Sequence, residues 1–153
     1  MKLDDLPAQP VRSPASDAAW ERIYAAACAP YRPQGQWSYQ WARGKLARDP
    51  VFRGMLERGH LADQPRVVDI GCGQGLVAAL LHACATVGAA DWPAEWRPAP
   101  LARSYTGIEL MQRDADRARA ALHALPLAPQ FICGDMCSTP LRACDLFVIL
   151  DVL

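Results

Sequence analysis

The chain has 153 residues, about one domain with room for a buried core, and 52% of them are hydrophobic. Its 16 basic and 16 acidic side chains balance, so no net field draws in nucleic acid or an anionic membrane, and a small-molecule partner is the default. No run reaches the length of a membrane span, and Met1-Lys2-Leu3-Asp4-Asp5 lacks the apolar core of a secretory signal, so a cytoplasmic location is expected.

Residues 1–15 are Pro-rich and polar and are expected to be disordered. From Ser16 a helix is predicted, with Ser16 or Asp17 as cap and Trp20, Ile23, Tyr24 and Ala27 at helical spacing, until Pro30 stops it. Residues 31–46 mix aromatics with cations and are in part helical. Asp49-Pro50 then starts a further helix over Val51 to Glu57, which Gly59 ends. Residues 16–60 thus read as a helical cap. Its aromatics beside arginine and lysine can line a pocket for a sulfonium, a carboxylate or an aromatic ring. Packing on the main domain, with the cations in water, is the alternative and is favoured for any single residue.

Residues 61–153 are organised around Val67-Val68-Asp69-Ile70-Gly71-Cys72-Gly73-Gln74-Gly75-Leu76-Val77. A β-branched run ending in Asp69 predicts a buried strand, three glycines at alternate positions a tight turn, and the Ala/Leu-rich run to about Ala85 a helix. Such a turn, followed by the free N–H groups of a helix start, suits a polar or anionic ligand group. Two ligand classes compete for it. A dinucleotide fingerprint is spaced G-x-G-x-x-G, whereas here the spacing is G-x-G-x-G and Leu76 stands where the last glycine belongs.

Residues 87–103 contain three prolines and two tryptophans within Asp91 to Pro100 and predict a long loop. Trp92 and Trp96 either pack back on the body or form a partner surface, and packing is favoured. Ser104 to Glu109 is the second strand, and Met111 to Leu125 an amphipathic helix with Ala115, Ala118, Leu122 and Leu125 inward. In a doubly wound fold a carboxylate at the end of the second strand reaches nucleotide ribose hydroxyls. Glu109 stands there, displaced along the chain by the inserted loop. Pro129 to Cys133 is the third strand, closed by the turn Gly134-Asp135-Met136. Cys144 to Leu153 is a nearly continuous apolar run, expected to be a strand covered on both faces.

The pattern D-x-G-x-G-x-G at Asp69 to Gly75, followed by Glu109, Asp135-Met136 and Leu150-Asp151 at the next three strand ends, resembles the class I S-adenosylmethionine-dependent methyltransferases. The resemblance implies a Rossmann-like α/β sheet with an N-terminal cap folded over the cofactor. It implies that Asp69, Gly71, Gly73 and Gly75 hold the methionine part of S-adenosyl-L-methionine, Glu109 the ribose, and Asp135 and Met136 the adenine, with Cys72 and Leu110 also in the cofactor site. Asp151 is placed to order the cofactor and equally to meet a substrate nucleophile; no other general base stands out.

The family's sheet has seven strands and the resemblance supplies four, which predicts a bare edge at the fourth and a C-terminally truncated chain. An NAD-dependent Rossmann oxidoreductase and a non-catalytic cofactor-binding or interaction remnant remain alternatives. The six cysteines, Cys28, Cys72, Cys84, Cys133, Cys137 and Cys144, show no zinc-like spacing and read as free thiols, so no metal is expected. His60, His82 and His123 lie outside the motifs and take surface or packing roles.

Overall fold

A computed structural model describes residues 12–150 of the chain. The expected disorder at the N-terminus falls mostly on residues 1–11, and Asp151 stands at position 151; both lie outside the described residues.

The first helix, α1 (Pro14–Cys28), starts two residues before Ser16. Ser13 is the cap: its hydroxyl accepts from Ser16 N at 3.1 Å, and the Ser16 hydroxyl accepts from Ser13 N at 2.9 Å. A serine at the third helical position thus completes a reciprocal capping box, and Pro14 takes the first turn, where its missing N–H costs nothing. A 3-10 segment (Ala29–Gln34) leads into α2 (Gln36–Arg48), and α3 (Pro50–Glu57) is capped by the Asp49 carboxylate on Val51 N, as the sequence predicts. Gly59, at φ +71°, turns the chain out of α3.

The body consists of β1 (Arg66–Ile70), α4 (Leu76–Thr86), β2 (Ser104–Glu109), α5 (Gln112–Leu122), β3 (Gln130–Cys133) and β4 (Leu146–Ile149). The sheet is parallel throughout, in the order β3-β2-β1-β4. From β1 the strand order runs outward to β2 and β3 on one side and to β4 on the other, a Rossmann-like order, and such folds bind ligands where the order switches, between β1 and β4. At the opposite, amino-terminal end of these two strands, Arg66 and Asp145 pair twice, at 3.0 and 2.9 Å, and Asp145 also accepts from Arg66 N. The pair fixes the register in which β4 enters against β1.

One face of the sheet carries Val67, Tyr105, Phe131 and Val148 and shares a core with α4 and the cap. α1 packs along α4. The cap is further held by Arg53, whose guanidinium meets Glu57 at 2.5 Å, Asp17 at 2.8 Å and the Ser16 hydroxyl at 3.4 Å, beneath the buried ring of Trp96. The Pro/Trp-rich loop therefore folds back on the helices, with Trp92 edge-on against Trp96 at 5.4 Å.

The opposite face corrects an expectation. Val68, Ile70 and Ile108 are buried there with Cys144 packed beside them, but Phe147 is 49% and Ile149 53% exposed. The link between β3 and β4 contains no helix, so β4 is covered on one face only among the described residues. On the outermost strand β3, the Phe131 carbonyl accepts two bonds from the Arg119 guanidinium of α5, at 3.2 and 2.9 Å.

Gly75 enters α4 at φ +80°, and a Cβ there would stand 2.7 Å from Leu122 and 2.9 Å from Phe131. Gly75→Ala therefore meets both a backbone penalty and an overpacked core, and should cost roughly 2–3 kcal/mol. Thermal unfolding of the variant should fall by several degrees, and an unchanged midpoint would contradict the packing described.

Candidate functional site

The crevice lies at the carboxyl ends of the strands and has two lobes that meet at Gly71. The first, about 370 Å³, is lined by Ile70, Gly71, Ile108, Glu109, Leu110, Gly134, Asp135 and Met136. The second, about 170 Å³, lies between the glycine turn and the cap, where Trp41, Lys45 and Phe52 face Asp69, Gly71, Cys72, Gly73, Leu76, Val77 and Leu150.

The turn is held tightly against β2. Gly71 N and Cys72 N both donate to Ile108 O, at 2.8 and 3.1 Å, and Gly73 N donates to Glu109 Oε2 at 2.8 Å. The other Glu109 oxygen accepts from Met111 N at 2.9 Å. Glu109 thus joins two turns, and since each carboxylate oxygen has two acceptor positions, half its capacity remains for a ligand. The glycines are at φ +69°, +54° and +80°, but their surroundings differ. A Cβ on Gly73 would meet nothing within 4 Å, whereas that on Gly75 would strike the core. Gly73 therefore faces open space at the crevice, and Gly75 lets the helix approach the sheet. Cys72 is buried, and its sulfur sits where a Cβ on Gly107 would come within 2.6 Å. Burial pushes the Cys72 thiol up, which keeps it protonated.

In the first lobe Asp135 Oδ1 accepts from Cys137 N at 2.8 Å, and its carbonyl accepts from Thr139 N at 2.8 Å. These bonds fix the carboxylate and leave Oδ2 uncommitted within the described hydrogen bonds. Met136 and Leu110, 39% and 68% exposed, supply an apolar lip. The structure thus brings Asp69, Gly71, Cys72, Gly73, Glu109, Leu110, Asp135 and Met136 to one crevice and turns Gly75 away from it.

Asp69 is 3% exposed, and among the described residues the one hydrogen bond to its carboxylate comes from the Tyr105 hydroxyl at 2.6 Å. Burial pushes its pKa up to about 7, against the pull of the Tyr105 bond and with a further push from Glu109. Tyr31, also buried, donates to Gln74 O at 2.8 Å and ties the cap to the turn. Gln74 is 2% exposed, and its Oε1 has no hydrogen-bond partner among the described residues.

The sequence reading offered the aromatics and cations of 31–46, Tyr31, Trp41 and Lys45 among them, as pocket lining but favoured packing for each, and it did not single out Phe52, Tyr105 or Gln74. The i, i+4 spacing of Trp41 and Lys45 puts both on one face of α2, the available signal for two of them. Lys45 also pairs with Asp49 at 3.2 Å. Among the described residues no cluster of His, Cys, Asp or Glu could hold a metal ion, and no helix is long and apolar enough to cross a membrane. All six cysteines are free.

No protein-family model and no curated protein matches the chain. Two solved structures do. The mitomycin 7-O-methyltransferase MmcR is similar at 24% identity over 97% of this chain and 47% of its own, with a TM-score of 0.45. The plantazolicin methyltransferase BpumL, in complex with SAH, is similar at 20% identity over 90% of this chain and 50% of its own, with a TM-score of 0.42. The chain spans about half the length of each.

The raised pKa of Asp69 makes stability depend on pH with a definite sign. The folded chain holds this proton more tightly than the unfolded one, so stability falls as pH rises from about 4 to about 7 and is level beyond. Asp69→Asn carries no such charge and keeps an acceptor for Tyr105. Its melting temperature should match the parent near pH 4 and exceed it by several degrees at pH 8, a difference on the order of a few kcal/mol. Parallel melting curves across that range would refute the buried-charge account.

Proposed function

We propose that this chain binds S-adenosyl-L-methionine and is the cofactor-binding part of a methyltransferase acting on a small-molecule acceptor. The observation that carries the reading is the pairing of the two lobes. The first offers Glu109 and Asp135 as acceptors beside the apolar Met136, which suits a ribose diol and an adenine amine. The second, at the start of α4, offers the buried carboxylate of Asp69 with Trp41 and Phe52, which suits a cation. A dinucleotide would have to lay its pyrophosphate at the start of this helix, beside that carboxylate. The close-packing glycine of a dinucleotide turn is also one residue early here, at Gly75 rather than at position 76.

The residues present fit the cofactor on the donor set and on the open approach at Gly73. When bound, the cofactor supplies a methyl group already activated on a sulfonium, so the chain has to position it and exclude water rather than provide a nucleophile. Glu109 would orient the ribose with its unused acceptor positions, Asp135 Oδ2 would accept from the adenine amine, and Met136 would lie against the ring. Trp41, Lys45 and Phe52 would close the amino-acid end from water. Asp151, outside the described residues, keeps the role of an ordering or base residue that the resemblance implies. The balanced charge of the chain supports a small-molecule acceptor over nucleic acid.

Thermal unfolding of the 153-residue chain with S-adenosylhomocysteine, and in parallel with NAD, tests the reading. At about a hundred times the dissociation constant a specific ligand contributes roughly 2.7 kcal/mol, or several degrees. A shift with the homocysteine ligand alone is expected; a shift with NAD alone would replace the reading by an oxidoreductase. A cooperative melt moved by neither would favour a non-catalytic remnant. Glu109→Ala should weaken the homocysteine ligand about 10- to 100-fold by calorimetry, and parental affinity would remove Glu109 from the site.

A further inference from the structure

Outside the crevice, Trp41, Gly44, Lys45 and Arg48 recur along α2 at i, i+3, i+4 and i+7 and so form one stripe of its surface. With Gln40 and Asp49 they line an open groove of about 630 Å³, and Trp41 and Lys45 also wall the second lobe. The groove and the lobe therefore share a boundary of two side chains. Gly44 is the member of the stripe that the fold does not require. It lies in the interior of α2 in ordinary helical backbone, where glycine loosens a helix relative to alanine. A Cβ there would meet nothing within 4 Å, so no neighbouring element needs its absence, in contrast to Gly75. What the missing side chain leaves is a bare floor beside Trp41. The charge of the stripe has one sign to spare. α2 carries Arg43, Lys45 and Arg48 and no acidic residue, and Asp49 just beyond it already accepts from Val51 N at 3.1 Å and meets Lys45 at 3.2 Å. Arg48 is exposed and makes no hydrogen bond or ion pair among the described residues.

Resting on the cofactor reading above, we infer that the acceptor lies along this groove and is a flat molecule bearing a carboxylate. Its planar body rests over Gly44 and against the Trp41 ring, and its carboxylate meets the Arg48 guanidinium, whose planar fork of donors matches two carboxylate oxygens. Its far end then reaches Trp41, at the wall shared with the second lobe, roughly 10 Å along the helix axis from Arg48. The stripe thus sets a length as well as a charge. A short acid held at Arg48 stops before the wall, and a neutral molecule of the right length leaves the guanidinium without a partner. Gly44 and Arg48 select the acceptor and stand apart from the residues that hold the cofactor, since neither lines either lobe of the crevice. Aromatic surface beside a cation was also what the sequence of this segment offered, and the groove places the two at opposite ends of one glycine floor.

Titration calorimetry on the 153-residue chain tests this with 6-hydroxy-2-naphthoate, a flat carboxylate, and with its neutral carboxamide, each with and without S-adenosylhomocysteine. The naphthoate should bind about tenfold more tightly than the carboxamide, and Arg48→Ala should bring the two together. Gly44→Ala should melt higher than the parent, because alanine suits a helix and meets no neighbour there, yet bind the naphthoate about 3- to 10-fold more weakly. Affinity for the homocysteine ligand should stay parental in both variants. Gained stability with lost binding is a combination that a purely structural glycine does not produce. Equal affinity for the naphthoate and the carboxamide, or binding of neither, would overturn the inference, and with the homocysteine ligand still bound would leave the cofactor reading standing. A less stable Arg48→Ala with parental naphthoate affinity would make Arg48 a helix-end charge alone and overturn its assignment. A cooperatively melting chain that takes the naphthoate and never the homocysteine ligand would overturn the cofactor reading and the acceptor assignment with it.

Discussion

The turn between β1 and α4 can close on the sheet because hydrogens stand where side chains would collide, at Gly75 against Leu122 and Phe131 and at Gly107 against Cys72. Two elements therefore pack closer than any other residue type would allow, from opposite sides of one contact. That approach brings Gly71 N and Cys72 N within reach of Ile108 O and Gly73 N within reach of Glu109. Without it the strand-end carboxylate would not share a crevice with the glycine turn, and the two lobes would not meet at Gly71.

The same closeness imposes an electrostatic tension. Asp69 and Glu109 are drawn into one crevice, and the fold resolves their mutual repulsion unequally. Glu109 is given two backbone N–H donors and stays half-exposed, whereas Asp69 is buried and given one hydroxyl. Burial pushes the pKa of Asp69 alone up, to about 7, against the pull of its one hydroxyl donor. Two acidic residues close in space thus carry different work, and the difference comes from solvation and hydrogen bonding rather than from residue type.

Much of this was legible in the sequence because it is written in local pattern. The alternate glycines, the β-branched runs and the Asp49-Pro50 cap each determine a short piece of backbone, and the strand-end positions of Glu109 and Asp135 follow from the strands themselves. What was not legible depends on packing between distant segments. The reading gave Gly71, Gly73 and Gly75 one role, but only the position of Leu122 and Phe131 shows that Gly75 serves the core. The start of α1 was displaced because Ser16 works as the partner of the Ser13 cap rather than as the cap. The apolarity of 144–153 predicted a strand covered on both faces, but composition does not say what covers it, and Phe147 and Ile149 face outward. Trp41 and Phe52 lie 11 residues apart on two helices, and only the angle between those helices brings them to the same lobe.

The guanidinium of Arg119 across the Phe131 carbonyl has a consequence for how these molecules coexist at high concentration. An outermost strand ordinarily offers its peptide groups to any extended segment that drifts alongside. At β3 one of those acceptors is already taken by two N–H donors from the strand's own covering helix, with Asp116 holding the arginine in place from one turn away. A neighbouring chain seeking to lengthen the sheet there would have to evict a charged side chain first. The helix that covers the sheet also guards its margin against self-association.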